Sequence, residues 1–349
     1  MVRVTSNFAA ESPLHPKARE AFLAALDAGW ADPRKVSQAA DKAAILKGHA
    51  IESIASGLGV RVEQVEILGE PCLGHYLALG GLLTPDATLV YGAADRSEVI
   101  AVARSHNGPV QELPVDGDGQ LISMQPLPKK SVLAFQLANI ETGVIQQRTI
   151  PADFMAVDAT ASGPRTPLPE GWSTAIFDAK SWQGPAGLGV LAIADNKRWR
   201  SPLPHISSIR VPYSHSLPLL MCAAVSLEAF NKDESHIRDL NSLMRSLLSS
   251  ATIAGRLEQS LPHLLSLCFE RCDGEELLRM LKVEGFSADS GSACTAMDLA
   301  PSHVLSAMGL PTQGNVRIAI HPDATADDVS AFADKLLKAV EKMQGQLTR

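Results

Sequence analysis

Apolar residues recur along the chain with two spacings, one typical of helices and the other of buried strands. The helical spacing predicts helices over residues 17–28, 37–56, 73–82 and 96–105. Short apolar runs predict buried strands at residues 65–68, 87–91, 110–115, 131–137, 154–158, 174–177 and 189–194. Because helices are interspersed with these strands, the pattern predicts an α/β fold, with a mainly parallel seven-stranded sheet covered by helices.

The pattern changes after the proline-rich stretch at residues 202–204. Beyond it, helical and strand-like segments are mixed, which predicts a smaller α+β domain. Its helices are expected at residues 217–230, 235–251 and 325–347, and its strands at 264–269 and 316–320. We therefore predict a large α/β domain over residues 13–204, and a small α+β domain formed by residues 1–12 and 205–349.

Composition and charge narrow the class of protein. The chain has 349 residues, of which 46% are hydrophobic and 20% charged, and its net charge is −7. This charge argues against nucleic acid or an anionic membrane as the main partner. No apolar run approaches the roughly 20 residues that span a bilayer. The first residues lack the layout of a signal peptide, so we expect a cytoplasmic protein.

The cysteines and histidines argue against a disulfide framework and against a metal site. The five cysteines are few, odd in number and scattered. Cys268 and Cys272 are spaced like a metal-binding pair, but no second pair with zinc-like spacing accompanies them. The ten histidines form no ligand cluster either. We therefore expect no metal.

Residues 174–189 form the most informative stretch, in which a strand-like run leads to Lys180 and then to a turn rich in glycine and proline. The glycines allow the backbone to turn sharply and to approach a bound group closely. If Lys180 is held in apolar surroundings, its ammonium form is disfavoured and the free amine is available for Schiff-base chemistry. The alternative is a lysine that ends a strand in solvent.

A neighbouring strand-like run, residues 154–158, ends in Asp158. Aspartate is common at caps and turns, which is one interpretation. The other is a counter-ion for a protonated ring nitrogen, because a carboxylate at a buried strand end needs a cation or good donors. Asp158 and Lys180 would then lie about a pyridine ring's width apart. Pyridoxal phosphate requires such a pair, an amine for its aldehyde and a carboxylate for its ring.

Two further residues are candidates for chemistry. Cys294 lies among small residues at 290–296, where a thiol could move and react, or could merely fill a packed turn. Arg317 is a cation inside an apolar strand and needs an anion. That anion is either a substrate carboxylate or a carboxylate of the protein core.

Several segments, in the same order along nearly the whole chain, resemble the cysteine desulfurases, the class V aminotransferase-like branch of fold-type I pyridoxal phosphate enzymes. The segment with Lys180 and its Gly-Pro-Ala-Gly-Leu-Gly tail resembles the family's cofactor-lysine segment. The remaining resemblances lie at residues 139–146 (the Asn-Asn-Glu-x-Gly segment), 157–160 (the ring-nitrogen aspartate), 273–278 and 290–295 (the sulfur-accepting cysteine loop) and 316–318 (the carboxylate-binding arginine).

The resemblance implies an activity and its participants. Lys180 would hold pyridoxal phosphate and shuttle protons, with Asp158 keeping the ring protonated. Cys294 would take the sulfur of L-cysteine as a persulfide, leaving L-alanine. Arg317 and Asn139 would bind the substrate. The family also implies a homodimer and a sulfur-acceptor protein, with sulfur transfer of the kind used in iron–sulfur cluster assembly.

The chain departs from the family mainly where the phosphate binds. The family's Thr-Ser-Gly-Ala-Thr-Glu loop aligns with Leu-Gly-Glu-Pro-Cys-Leu at residues 68–73. Hydroxyl donors are missing, Pro71 has no N–H, and Glu70 would repel a phosphate. Only Gly69, Cys72 and nearby amides remain as donors at the start of the next helix.

Other positions around the cofactor also differ. Ala179 replaces a histidine before the lysine, and Phe177 replaces a serine that contacts phosphate. Arg96 replaces the histidine that stacks on the ring, a role that an arginine can also take. The family's Arg-Ser-Gly-Thr pattern is absent from residues 211–216. The candidates left for the phosphate are Arg96, His75, Ser216 and Tyr213.

Three functions remain open. The first is a cysteine desulfurase-like enzyme. The second is a catalytically impaired homologue that acts as a binding or regulatory protein. The third is another class V lyase or an aminotransferase that keeps the cofactor, in which case removal of the Cys294 thiol would leave turnover largely intact.

Overall fold

The structure is a computed structural model that describes residues 6–10, 13–28, 31–204, 211, 216–290 and 301–346. Its strands are β1 (Val65–Leu68), β2 (Thr88–Gly92), β3 (Val110–Leu113), β4 (Ser131–Gln136), β5 (Phe154–Asp158), β6 (Thr174–Asp178), β7 (Gly189–Ile193), β8 (Thr252–Ile253), β9 (Leu264–Cys268) and β10 (Asn315–Ala319).

Helices separate most of these strands, as the apolar spacing predicts. Those of the described residues are α1 (Pro16–Asp27), α2 (Gln38–Leu58), α3 (Pro71–Gly80), α4 (Ser97–Ser105), α5 (Leu217–Ala229), α6 (Ser235–Leu247), α7 (Gly274–Val283), α8 (His303–Ala307) and α9 (Ala326–Gln346). None of these helices has the length and apolar character needed to cross a bilayer.

The first seven strands form one sheet, in the order β1-β7-β6-β5-β4-β2-β3. Strands β2 to β6 pair in parallel, whereas β7 pairs antiparallel with both β6 and β1. The predicted mainly parallel, seven-stranded sheet is therefore confirmed. Because parallel strands share a direction, the carboxyl ends of β5 and β6 meet at one edge of the sheet.

Alternate residues of these strands face two separate cores. On β6, Ala175 and Phe177 pack with α2 and α5, whereas Ile176 packs with α3 and α4 on the opposite face. All three side chains are buried. Burial on both faces explains why the strands are continuous apolar runs rather than alternating ones.

The remaining elements form a second core. Strands β10, β9 and β8 make an antiparallel sheet in that order, which packs with α6, α7 and α9. Phe8, near the N-terminus, belongs to this core, and its ring centroid lies 4.6 Å from that of Phe332, with the two rings tilted by 44°. Helix α5 packs against α1 and α2 on the large sheet, although it lies beyond residue 204. The division of the chain into two domains remains a prediction.

Helix α3 lies tightly against the sheet because Gly74 has no side chain. A Cβ atom at Gly74 would lie 2.0 Å from Cδ1 and 2.7 Å from Cγ1 of Ile176, and 2.9 Å from Cδ1 of Leu68. Both neighbours are buried, so they have little room to move. The small residue therefore sets the distance between α3 and the strand that precedes Lys180.

We expect the substitution Gly74→Ala to lower the free energy of unfolding by about 1–2 kcal/mol, because the added methyl group overpacks this contact. Gly48→Ala is the matched control, since a Cβ at Gly48 in α2 meets nothing within 4 Å. That variant should gain up to about 1 kcal/mol from helix propensity. Chemical denaturation measures both. Equal effects of the two substitutions would contradict the packing argument.

Candidate active site

Lys180 lies just beyond β6, in a short 3-10 turn over Ala179–Trp182. Asp178 caps this turn, since its Oδ1 accepts a hydrogen bond of 3.0 Å from the backbone N–H of Lys180. The Lys180 Nζ atom lies 3.7 Å from Oδ2 of Asp178, and its side chain is 57% exposed. Of the two interpretations of Lys180, the structure therefore agrees with a lysine that ends a strand in solvent, because the turn carries the side chain outward beside a carboxylate.

The glycine-rich tail after Lys180 runs close to the start of α3. Gly187 has a φ of 75°, in the left-handed region that favours glycine. A Cβ at Gly189 would lie 3.0 Å from Cα of Pro71, so a larger residue would push the two segments apart. Gly189 also pairs with Leu68, next to Gly69. The tail thus brings the lysine turn and the N-terminus of α3 together.

Asp158 ends β5 and is 5% exposed. Its Oδ1 accepts hydrogen bonds from the N–H and the hydroxyl of Thr160, at 2.9 and 2.6 Å. Its Oδ2 lies 3.1 Å from Nε2 of His75. Burial alone would raise the pKa of Asp158, but His75 and Arg96 outweigh it and hold the pKa well below its usual range. The carboxylate is therefore ionised.

His75 belongs to α3 and is 3% exposed. Burial alone would lower its pKa, but the Asp158 carboxylate outweighs this effect and raises it. Neither ring nitrogen makes an aligned hydrogen bond with a described residue. The contact with Asp158 is therefore an ion pair rather than a well-directed hydrogen bond. His75 thus contacts the carboxylate of Asp158 and does not lie at the N-terminus of α3.

Arg96 reaches the same carboxylate indirectly. Its Nη1 donates to Oγ1 of Thr160 at 3.0 Å, and its other nitrogens contact Glu98 at 3.3 and 3.4 Å. Burial opposes its charge, but Asp158 and Glu98 outweigh burial and raise the pKa of Arg96. The guanidinium is thus held by Thr160 and Glu98, and its stacking on a ring remains a prediction.

A second buried carboxyl lies close to Asp158. Asp95 is 3% exposed, and its Oδ2 accepts a hydrogen bond of 2.8 Å from the N–H of Gly92. Burial, together with the negative charge of Asp158, raises the pKa of Asp95 to about 7. No motif or apolar pattern in the sequence singles out this residue. Asp95 is a further titratable group beside the His75–Asp158 pair.

The N-terminus of α3 is occupied by a side chain of the chain itself. Glu70 is the N-cap residue, and its Oε1 accepts a hydrogen bond of 3.0 Å from the N–H of Cys72. Burial, with a further contribution from Glu98, raises the pKa of the Cys72 thiol to about 11, so the thiol is neutral. Pro71 contributes no N–H. A carboxylate therefore takes the anion position of this helix.

Asn139 uses its side chain to hold a loop. Its Oδ1 accepts hydrogen bonds from the N–H groups of Glu141 and Thr142, both at 2.9 Å. Its Nδ2 donates to the carbonyl of Ala94 and to Gln136. Glu141 is 8% exposed and accepts a 2.6 Å bond from a serine hydroxyl. The role of Asn139 in binding substrate remains a prediction.

Arg317 lies on β10 and contacts a carboxylate of the protein. Its Nη2 lies 3.4 Å from Oδ2 of Asp289, and the two backbones exchange hydrogen bonds of 2.7 and 3.0 Å. The side chain of Arg317 is 12% exposed and that of Asp289 is 30% exposed. The core salt bridge is thus present. Whether Arg317 also takes a substrate carboxylate remains a prediction.

Some of the predicted residues are not joined to this cluster. Cys294 and Tyr213 lie outside the described residues. Ser216 is exposed at the N-cap of α5, its side chain makes no capping bond, and no described contact joins it to Asp158 or Lys180. Cys268 and Cys272 are buried, and no group of three or more potential metal ligands occurs in the described parts of the chain.

An arginine that no motif or apolar pattern singles out anchors the lysine turn. Arg165 donates to both carboxylate oxygens of Glu234 at 2.8–3.0 Å, and also to the carbonyl of Ser181, which follows Lys180. Its guanidinium lies 4.7 Å from the centroid of the Phe230 ring. The only local signal in the sequence was a Gly-Pro turn before the arginine.

The described residues fit one end of pyridoxal phosphate and not the other. A carboxylate has about four acceptor positions. On Asp158, Thr160 donates to two of them, and His75 lies beside a third as an ion pair. One position therefore remains for a ring N–H, and Lys180 supplies the amine. At the other end Glu70 caps the amide that a phosphate would use. The described residues thus offer an acceptor for a ring N–H and an amine for an aldehyde, but a carboxylate at the helix N-terminus where an anion would bind.

Comparison with known proteins identifies sequence relatives, although no family model matches the chain. A cysteine desulfurase of Trichormus azollae is 26% identical over 264 residues, which are 67% of this chain and 66% of that protein. The cysteine desulfurase IscS of Vibrio campbellii is 30% identical over 230 residues, 59% and 56% of the two chains. The chain thus spans less than two thirds of the length of these two relatives.

Other matches extend over most of the chain. The cysteine desulfurase IscS of Dictyoglomus turgidum is 23% identical over 374 aligned positions, covering 97% of this chain and 94% of that protein. Among solved structures, a NifS-like protein superposes with a TM-score of 0.82 at 19% identity, over 96% of this chain and 99% of its own. SspA, solved in complex with cysteine, has a TM-score of 0.75 at 21% identity, over 92% and 99%. These structures share the fold described above.

Proposed function

Because the chain belongs to the cysteine desulfurase family, we propose that it is an enzyme that converts L-cysteine to L-alanine and keeps the sulfur as a persulfide on Cys294. One observation carries the proposal. Asp158 and Lys180 follow two parallel, adjacent strands, β5 and β6, at the same edge of the sheet. Ligands of such sheets bind beyond the carboxyl ends of the strands.

Pyridoxal phosphate, when bound, supplies an electron sink for the α-carbon of an amino acid. In the proposal, Lys180 would hold this group at its aldehyde through Nζ, and its amine would move a proton at the α-carbon of the substrate. The ionised Asp158 would hold the ring end of the group by accepting from the ring N–H. The contacts with His75 and Thr160 fix the orientation of that carboxylate.

The overall sulfur transfer balances without an external oxidant. The carbon–sulfur bond of the substrate breaks and the sulfur bonds to Sγ of Cys294. The electron pair of the broken bond stays on carbon, which takes up one proton and becomes the methyl group of alanine. Of the two thiol hydrogens, one is thus found in alanine and the other in the persulfide. The persulfide sulfur then passes to an acceptor protein or to a reductant.

Substrate and assembly are proposed on the same grounds. Cysteine is a suitable substrate because one protein with this fold, SspA, has been solved in complex with cysteine. Arg317 would bind its carboxylate, which requires sharing with Asp289. Asn139 is a second proposed substrate contact, and its amide N–H groups would first have to leave Ala94 and Gln136. We further propose a cytoplasmic homodimer, with a large domain over residues 13–204 and a small one over 1–12 and 205–349.

A second candidate function is favoured by one observation. Because Glu70 caps the helix that holds the phosphate in the family, the chain could be an impaired homologue that binds or regulates a sulfur-transfer partner. In that case neither cofactor bonded to Lys180 nor sulfide release from cysteine would be found.

The deciding experiment measures alanine and sulfide released from cysteine by the purified chain, with pyridoxal phosphate and a thiol reductant present. We expect release by the wild type, and background levels for Lys180→Ala and Cys294→Ala. Lys197→Ala, a substitution in an exposed turn, is the control and should keep full activity. Equal release by wild type and Lys180→Ala would refute the proposal. Alanine formation that survives Cys294→Ala would instead favour another lyase or an aminotransferase.

A further inference from the structure

The N-terminus of α3 lacks the free N–H groups of an anion-binding helix. The N-terminus of a helix attracts anions through its unpaired N–H groups and its dipole. Here the first helical residue, Pro71, has no N–H, and the N–H of Cys72 donates to Oε1 of Glu70 at 3.0 Å. Glu70 is exposed and extended in its backbone, with φ −139° and ψ 110°. A phosphate at this helix would have to displace it.

Charges around the helix start also oppose a dianion. Arg96 outweighs the effect of burial and lowers the pKa of Glu98 to about 2, so Glu98 is ionised. The guanidinium of Arg96 donates to both Glu98 and Thr160. Lys180 faces Asp178 at 3.7 Å. Arg96 and Lys180 therefore each have a carboxylate beside them, and Glu70 adds a further negative charge at the helix.

The position next to the lysine turn offers no replacement donor. Phe177 stands where the family has a phosphate-binding serine, and its side chain is 1% exposed, within the core of the large sheet. The ring end of the site, in contrast, keeps both of its groups, Asp158 and Lys180. The ring end of the site thus keeps its chemical groups, whereas the phosphate end lacks them.

Building on the proposed function, we propose that Glu70 is a specificity-determining residue, which makes the site accept the ring and the aldehyde of pyridoxal with little gain in affinity from the phosphate. The carboxylate replaces the phosphate as the anion at α3. An added phosphate must break the contact with Cys72 and then lie beside Glu70, so two electrostatic effects offset its attraction to the helix.

The test titrates pyridoxal and pyridoxal 5'-phosphate separately into the purified full chain and follows cofactor absorbance. For the wild type, we expect dissociation constants that agree within about threefold. Glu70→Gln keeps an oxygen to cap Cys72 but removes the charge, and should tighten binding of the phosphate form about tenfold, with pyridoxal unchanged. Glu63→Gln, at a side chain that is 65% exposed, is the control and should change neither constant.

Two results would overturn the proposal. One is a wild type that binds the phosphate form at least about a hundredfold more tightly than pyridoxal. The other is a Glu70→Gln variant with the same preference as the wild type.

Failure of the proposed function looks different. Neither compound would then bind to wild type or to Glu70→Gln more tightly than to Lys180→Ala. Thermal unfolding with inorganic phosphate decides the role of Glu70 in that case. A larger rise in melting temperature for Glu70→Gln than for the wild type supports a blocked anion position, and an equal rise overturns it.

Discussion

Replacing Asp158 by asparagine is expected to lower sulfide release from cysteine at least about a hundredfold, because the proton of the ring nitrogen then has no ionised partner. The same change should lower the free energy of unfolding by about 3 kcal/mol. The reason is that Asp158 and His75 are both nearly inaccessible to solvent, at 5% and 3% exposure. Loss of the carboxylate leaves the imidazole without an anion. Steady-state kinetics and chemical denaturation measure the two effects.

A double-mutant cycle separates the pair from the rest of the core. We expect Asp158→Asn combined with His75→Asn to cost at least about 1 kcal/mol less than the sum of the single changes. Asp195→Asn, at an exposed turn residue, is the control and should stay within about 0.5 kcal/mol of the wild type. Additive costs would show that the 3.1 Å contact contributes little.

The pair also predicts how stability depends on pH. The Asp158 carboxylate outweighs burial and raises the pKa of His75 above its ordinary 6.5. Its contribution is therefore complete below 6.5 and is lost as pH rises through the raised value. Burial raises the pKa of Asp95 to about 7, which likewise makes folding less favourable as pH rises. Asp158, with its lowered pKa, loses its contribution only in strong acid. Arg96 stays charged throughout.

We therefore expect the unfolding free energy of the wild type to fall as the pH rises above 6.5, through the raised pKa of His75. The fall should be smaller in the double variant of Asp158 and His75, which lacks this contribution. Denaturation curves at several pH values measure this. A rise over the same interval in the wild type would contradict the assignment of a charged His75.

Sequence patterning locates the helices well because apolar spacing is a local property. Helix α9 was predicted at residues 325–347 and lies at Ala326–Gln346. The end of α2 shows the limit of the method. The predicted helix ends at residue 56, just before Gly57, but α2 continues to Leu58 and ends at Gly59, which has a φ of 70°. Gly57 is small for another reason, since a Cβ there would lie 2.6 Å from the side chain of Leu227.

The direction of β7 and the partners of the site residues could not be predicted from the sequence. An apolar run is the same in either direction, so nothing in it shows that β7 is antiparallel to β6. The pair of His75 and Asp158 joins residues far apart in sequence, through a helix and a strand on neighbouring layers. A pattern clue existed, because His75 occupies the apolar face of α3 with Gly74 and Ala78. A buried histidine there needs a partner.

Replacing Arg165 by methionine is expected to lower the free energy of unfolding by about 3 kcal/mol and to loosen the turn that carries Lys180. The guanidinium links three segments, since it contacts Glu234, Phe230 and the carbonyl of Ser181. The Arg165 and Glu234 side chains are each 11% exposed, so removal of the cation leaves a carboxylate with little access to water. At a fixed, subsaturating concentration of cofactor, the absorbance of the bound cofactor should be lower for Arg165→Met than for the wild type.

Three variants distinguish anchoring from a general loss of packing. Arg165→Lys keeps the charge but not the planar fork, so its stability should lie between wild type and Arg165→Met. Adding Glu234→Gln to Arg165→Met should restore part of the stability, because no unpaired charge is then buried. Arg256→Gln, whose side chain is 65% exposed, should cost less than about 1 kcal/mol. If Arg165→Met bound cofactor as the wild type does at a temperature where both are folded, the lysine turn would not depend on this anchor, and its geometry would instead come from the Asp178 cap.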